Sequence, residues 1–148
     1  MAIQKSGSAH WEGTLKEGKG TVSTESGVLN AQPYGFNIRF GDDKGTNPEE
    51  LIAAAHASCF SMALSNILGE YDLTAKAIDT KATVTLEKND GGFAVTKSHL
   101  AVNLSVPGAD NATLEEAAGK AKAGCPISKL LNAEITMDLN IQSAASAA

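Results

Sequence analysis

From Leu51 to Gly69 the chain runs for nineteen residues without a formal charge, and this stretch limits the architecture more than any other. A segment of that length and composition either crosses a bilayer or forms a helix enclosed by protein. Its own polar residues, His56, Ser58, Ser61, Ser65 and Asn66, and the lack of anchoring Lys, Arg, Trp or Tyr at both ends favour a core helix over a membrane span. The pattern predicts a helix buried on most sides, opened by Asn47-Pro48-Glu49-Glu50. There an N-cap amide, a first-turn proline and a glutamate three residues past the cap each satisfy or tolerate an orphan N–H. Gly69 is the expected left-handed stop.

The segments around this helix are short and strand-like. Ala9, Trp11, Gly13 and Leu15 alternate with polar residues. Gly18-Lys19-Gly20 predicts a turn, and residues 21–26 a second strand rich in β-branched side chains. Tyr34, Phe36, Ile38 and Phe40 alternate with Gly35, Asn37 and Arg39, which predicts a strand with Arg39 on the face opposite the aromatics. Further on, a strand is expected near 79–88, then a positive-φ turn at Asn89-Asp90-Gly91-Gly92 and a returning strand over 93–106. The apolar phase of that returning strand changes between Val95 and Leu100, which predicts a bulge. Thr113-Leu114-Glu115-Glu116 reads as a capping box for an alanine-rich helix ended by Gly124. Pro126 suits the start of a short helix through Leu131, and Ile135, Met137, Leu139 and Ile141 alternate as a last strand. The order βββ-α-ββ-αα-β predicts one α+β domain over residues 1–142, without a βαβ parallel sheet. The Ala/Ser tail, 143–148, offers nothing bulky to pack and is expected to fray.

Composition sets aside several functions. Seventeen acidic against twelve basic residues give a formal net charge of −5, so the domain is not expected to track nucleic-acid phosphates. Two cysteines are too few for a disulfide-dense scaffold or a four-ligand structural zinc site. Residues 1–7 hold one cation and no apolar run, so no export signal is read and the cytoplasm is the expected location. Cysteines there stay reduced unless their chemistry is redox or metal binding.

Those two cysteines are the candidates for chemistry. Cys59 falls in the middle of the uncharged helix, and Cys125 lies in Gly124-Cys125-Pro126, a turn that leaves a side chain accessible. The alternative for both is a small buried hydrophobe. Arg39 is the one arginine, beside eleven lysines, and its permanent charge and planar donor fork set it apart from them. A free thiol is only about 3% thiolate at pH 7. Cys59 is too far along its helix to feel the N-terminal dipole, and burial alone raises a thiol's pKa. A reactive Cys59 therefore needs a nearby cation. Arg39 is the one best suited to stay charged when desolvated, with Glu49 holding the other side of the guanidinium.

Several motifs in order resemble those of the osmotically inducible protein C (OsmC) family. They are His10-Trp11-Glu12-Gly13, the run from Ser23 to Asn30, Gln32-Pro33-Tyr34-Gly35-Phe36 and Gly45-Thr46-Asn47-Pro48-Glu49-Glu50-Leu51. Ala54-Ala55-His56-Ala57-Ser58-Cys59-Phe60 and Lys122-Ala123-Gly124-Cys125-Pro126 complete the set. The similarity spans roughly residues 1–142. The long segment before Tyr34 is more like the OsmC branch than the organic-hydroperoxide-resistance branch. The resemblance implies an OsmC-like fold, an antiparallel sheet wrapped around long central helices in an intertwined homodimer. It also implies a thiol peroxidase that reduces organic hydroperoxides and, less well, hydrogen peroxide. By position Cys59 matches the peroxidatic cysteine, Cys125 the resolving cysteine, and Arg39 and Glu49 the arginine and glutamate of the site. A dithiol reductant of the lipoyl type is implied, with no cofactor and no metal.

On that reading Cys59 becomes a sulfenic acid, Cys125 condenses with it to a disulfide, and a dithiol reopens the bond. Tyr34, Phe36, Phe60 and Met62 are available as an apolar wall for the organic group. Glu49 and Cys59, ten residues apart on one helix, lie about 15 Å apart along its axis and on different faces. The expected site is therefore shared between two subunits, Glu49 of one reaching the Cys59 pocket of the other, with a helix kink as the competing explanation. Two other classes stand beside this one. His56 and Cys59, at i and i+3, could join Cys125 or His10 in a metal site, although His56 also suits a core histidine with a backbone partner. The fold could also serve a non-catalytic stress-response or apolar-ligand-binding protein.

Overall fold

A computed structural model describes residues 1–142 of the chain, and the tail expected to fray, 143–148, lies outside them. The described chain forms two compact units that meet in sequence at Leu51 and Ile52.

The first unit holds β1 (Gly7–Glu12), β2 (Lys19–Thr24), β3 (Gln32–Tyr34) and the short helix α1 (Phe36–Arg39). The three strands pair antiparallel in the order β1-β2-β3. The turn between β1 and β2 occupies 13–18, earlier than the sequence predicts, because Gly13 turns with φ 92° and the Gly18 amide bonds the Thr14 carbonyl. Lys19 and Gly20 are therefore already in β2. Gly20 is required there, since a Cβ would come within 2.6 Å of the Trp11 and Tyr34 rings.

The third strand is shorter than the aromatic alternation predicts. β2 pairs with β3 only as far as Gly20 opposite Tyr34, and beyond Tyr34 the chain coils into α1. Phe36 and Phe40 then meet one helical turn apart, ring centroids 5.0 Å from each other, a contact open to residues at i and i+4. Arg39 consequently sits in a helical turn, not on the far face of a strand.

The long helix α2 (Pro48–Glu70) begins where its cap sequence predicts, with the Glu50 amide donating to Asn47 Oδ1 at 2.8 Å. The Glu50 carboxylate accepts from the Thr46 hydroxyl at 2.8 Å. The stop differs from the expected one. Gly69 is still helical, and the left-handed residue is Asp72 (φ 58°). The Leu73 amide bonds Leu68 O and the Asp72 amide bonds Gly69 O, the paired closure of a Schellman ending.

In the second unit β4 (Ala77–Asn89), β5 (Gly92–Ser105) and β6 (Glu134–Ile141) form a sheet in that order. β4 and β5 are antiparallel, and Thr96 is skipped between Lys97 and Val95, so the bulge lies where the apolar phase changes. Positive φ in the connecting turn falls on Gly92 (φ 110°). Between β5 and β6 run α3 (Asn111–Gly124) and α4 (Pro126–Leu130). Asp110, three residues before Thr113, caps α3 by accepting its amide at 2.7 Å. The two helices form a crossover, so β6 returns parallel to β5. This corrects the expectation of an antiparallel sheet with no βαβ unit, because a helical crossover carries the chain back to the end where β5 began, and β6 then runs the same way.

Phe60, Leu64 and Leu68 of α2 form the core with Leu100, Val102 and Leu104 of β5 and Leu114, Ala117, Ala118 and Ala121 of α3. The helix was expected to be buried on most sides. In the single chain it buries one stripe spaced by four, His56, Phe60, Leu64 and Leu68, and Met62 stays 76% exposed. Low charge without large side chains does not itself bury a face, and much of this helix is alanine and serine. α2 is long and apolar enough to cross a membrane, but its largest apolar groups are spent on the protein core.

The helix ending gives a stability test. Asp72→Gly should match or exceed the parent stability, since glycine adopts positive φ freely. Asp72→Val should cost about 1–2 kcal/mol, the left-handed penalty of a branched residue. Urea unfolding midpoints of the two variants measure this directly.

Candidate active site

The four residues singled out from the sequence fall into two pairs, one in each unit. In the first, α1 presents Arg39 to Glu49 at the start of α2. Nε donates to both carboxylate oxygens at 3.0 and 3.1 Å, and Nη2 donates to Oε1. The Arg39 side chain is 37% exposed and Glu49 is 14% exposed, so this is a fork-to-carboxylate pair more sheltered than most surface ion pairs. The guanidinium also lies 5.3 Å from the Phe40 ring centre. Beside it a cavity of about 70 Å³ is lined by Trp11, Tyr34, Phe36, Arg39, Phe40 and Pro48. Of the four residues considered for an apolar wall, Tyr34 and Phe36 line this cavity, whereas Phe60 is fully buried core and Met62 is exposed.

The second pair is the cysteines, both free thiols. Cys59 follows one turn after His56 and is half-buried, while Cys125 caps α4 and is fully buried. Burial pushes the Cys59 thiol up, the Ile127 backbone N–H bonding it pulls the other way, and the adjoining Cys125 thiol adds to the rise. The net direction is upward, so these surroundings hold Cys59 as a thiol and its ionisation calls for a cation.

Behind Cys125 lies a polar chain that sequence reasoning missed. Cys125 Sγ donates to Ser128 Oγ at 3.3 Å and accepts the Ser128 amide at 3.3 Å. Ser128 Oγ is 2.8 Å from His56 Nε2, and His56 Nδ1 is 2.7 Å from Ser98 Oγ. His56 and Ser98 are fully buried and Ser128 nearly so. The backbone partner expected for a core His56 is thus two serine hydroxyls. They occupy both ring nitrogens and leave neither for a metal. Among the described residues no three His, Cys, Asp or Glu side chains group as metal ligands, and His10 pairs instead with Glu12 at 3.0 Å. The one available sequence clue was Ser128, three residues after a cysteine cap.

Comparison with known proteins gives the family. The family model "OsmC-like protein" matches residues 41–140. The chain belongs to the OsmC family. It is 62% identical to Peroxiredoxin OsmC of Escherichia coli (strain K12) over 143 residues, which cover 97% of this chain and all of that protein. It is 28% identical to the organic hydroperoxide resistance protein OhrB of Bacillus subtilis (strain 168), covering 83% and 89% of the two chains. An OsmC-like protein of unknown function from Vibrio cholerae shares the fold, with a TM-score of 0.73 at 19% identity over 93% and 99% of the chains.

In this OsmC-family chain His56 makes stability depend on pH. Burial holds its imidazole below the usual histidine range, so as pH falls the unfolded chain takes up its proton first. The contribution of neutral His56 is complete above about pH 6.5, the unfolded value, and is lost as pH falls through the folded-state value. Urea midpoints should hold steady well above about pH 6.5 and drop as pH falls below it. His56→Gln should flatten that slope, and an unchanged slope would contradict the assignment.

Proposed function

We propose that this chain is a cysteine-based peroxidase that reduces organic hydroperoxides and, less well, hydrogen peroxide. The single observation that supports this most is that Cys59 and Cys125, both free thiols, come together in one packed cluster from positions far apart in the chain. The names of its relatives, a peroxiredoxin and an organic hydroperoxide resistance protein, point the same way. In the proposed cycle the Cys59 thiolate attacks the terminal peroxide oxygen. The O–O bond breaks, alcohol or water leaves, and Cys59 becomes a sulfenic acid. Cys125 then displaces hydroxide from that sulfur to form the disulfide, and a dithiol of the lipoyl type reopens it by exchange. Arg39, oriented by Glu49, stabilises the thiolate and the oxygen that gains charge in the transition state. The aromatic cavity beside Arg39 takes the organic group.

The working unit in this reading is a cytoplasmic homodimer in which the Arg39–Glu49 pair of one subunit completes the Cys59 pocket of the other. A non-catalytic stress or ligand-binding role would leave the thiols unused, and a bound metal would tie them up.

One equivalent of cumene or t-butyl hydroperoxide should remove two thiols per chain as an intramolecular Cys59–Cys125 disulfide, seen by thiol titration and mass spectrometry. Cys59→Ser should abolish turnover, and Cys125→Ser should accumulate a Cys59 sulfenic acid. Arg39→Lys should lose about 10- to 1000-fold in the rate of peroxide reduction, the ionisation lost with one to three pKa units. A fully active monomer would refute the shared site, and retained turnover in Cys59→Ser would refute the peroxidase reading.

A further inference from the structure

His56 is a fully buried titratable group that the cycle above does not use. It joins Cys125 to Ser98 through an unbroken line of hydrogen bonds. The donors can be assigned along that line. The Cys125 S–H points at Ser128 Oγ, so the single Ser128 proton is free to bond His56 Nε2. The imidazole proton then lies on Nδ1, facing Ser98 Oγ. Every member of the line donates forward, from the thiol to the imidazole. A core histidine needing only satisfaction has no reason to end on a thiol, and a resolving thiol needs its proton removed before it attacks.

We propose that Ser128 and His56 form a proton relay that activates Cys125 as the resolving nucleophile, with Ser98 as the positioning residue that fixes the imidazole tautomer. This rests on the peroxidase reading. As Cys125 approaches the Cys59 sulfenic acid, its S–H bond breaks, Ser128 takes that proton and the Ser128 hydroxyl proton moves to Nε2. The Cys125 thiolate forms the S–S bond while the Cys59 S–O bond breaks. The Cys125 sulfur is oxidised and the sulfenic sulfur is reduced. The buried imidazolium, no longer facing a thiolate, returns its proton through Ser128 to the expelled hydroxide. The step yields one disulfide and one water and leaves His56 neutral.

The relay acts on the second half of the oxidation and not the first, which separates it from a packing role. The experiment is a single turnover of the reduced full chain with one equivalent of t-butyl hydroperoxide. Dimedone trapping reports the Cys59 sulfenic acid, and mass spectrometry reports disulfide closure. Ser128→Ala should form sulfenic acid at the parental rate and close the disulfide about 100-fold more slowly, the usual weight of a positioned proton acceptor. Ser128→Thr, which restores the hydroxyl, should recover closure to within a few-fold. Closure at the parental rate in Ser128→Ala, or equal slowing in Ser128→Thr, overturns the relay. If Ser128→Ala does not fold, the parent protein still decides. Its closure rate should fall along a curve with rising deuterium fraction, because two protons move together, and a straight line overturns the proposal. Failure of the parent to form any sulfenic acid or disulfide would instead overturn the peroxidase reading on its own.

Discussion

The second unit is organised around a polar line set into an apolar stripe. From His56 to Leu68 helix α2 buries one residue per turn, and the first of these is an imidazole among hydrocarbons. Burying such a ring unpaired would cost roughly 1–3 kcal/mol for each unsatisfied nitrogen. Ser98 from β5 and Ser128 from α4 prevent that cost by meeting both nitrogens. Three elements distant in the chain are thereby held to one another through directed bonds, which an all-hydrocarbon contact does not provide. The same placement carries Cys59, one turn on, to the Ile127 amide and the Cys125 thiol. The register of the stripe and the adjacency of the cysteines are therefore one constraint: sliding α2 by one residue would break both.

The parts legible in the sequence were those written locally. The start of α2 is announced by Asn47-Pro48, and the Thr96 bulge by a change of apolar phase. β6 is announced by four alternating hydrophobes. The aromatic alternation at 34–40 misled because Phe36 and Phe40 satisfy a period of two and a separation of four alike. A strand there depended on a partner, and the pairing with β2 ends at Gly20 opposite Tyr34. The stop of α2 misled for a related reason, since Gly69 is permissive of left-handed backbone but Asp72 is where two amides can close on Leu68 and Gly69.

The candidate site divides in the same manner. Cys59, Cys125, Arg39 and Glu49 could be named because their residue types are rare or chemically distinct and sit in motif context. Ser98 and Ser128 could not, being common residues 42 and 72 positions from the histidine they serve. Hydrogen bonding at that separation is created by topology and leaves no periodic trace. The polar partner of a buried histidine is thus the kind of feature that only a folded chain reveals.

The Arg39–Glu49 pair raises a question of magnitude. A carboxylate against a guanidinium leaves little net charge, and a neutral pair stabilises a distant thiolate far less than a lone cation does. In the proposed reading the bonding of the pair meets both demands. Glu49 takes the Nε and Nη2 edge of the fork, and Nη1 stays outside that pair. An anion meeting Nη1 lies closer to the guanidinium than to the carboxylate bonded on its other edge, so attraction outweighs the opposing charge at short range only. Such a pair acts as an oriented dipole whose effect is confined to whatever touches its open edge. Lysine cannot reproduce this, because a single ammonium held by Glu49 has no second edge to offer. In the proposed reading, the chain's one arginine stands at position 39 because the site needs a cation anchored on one side and available on the other.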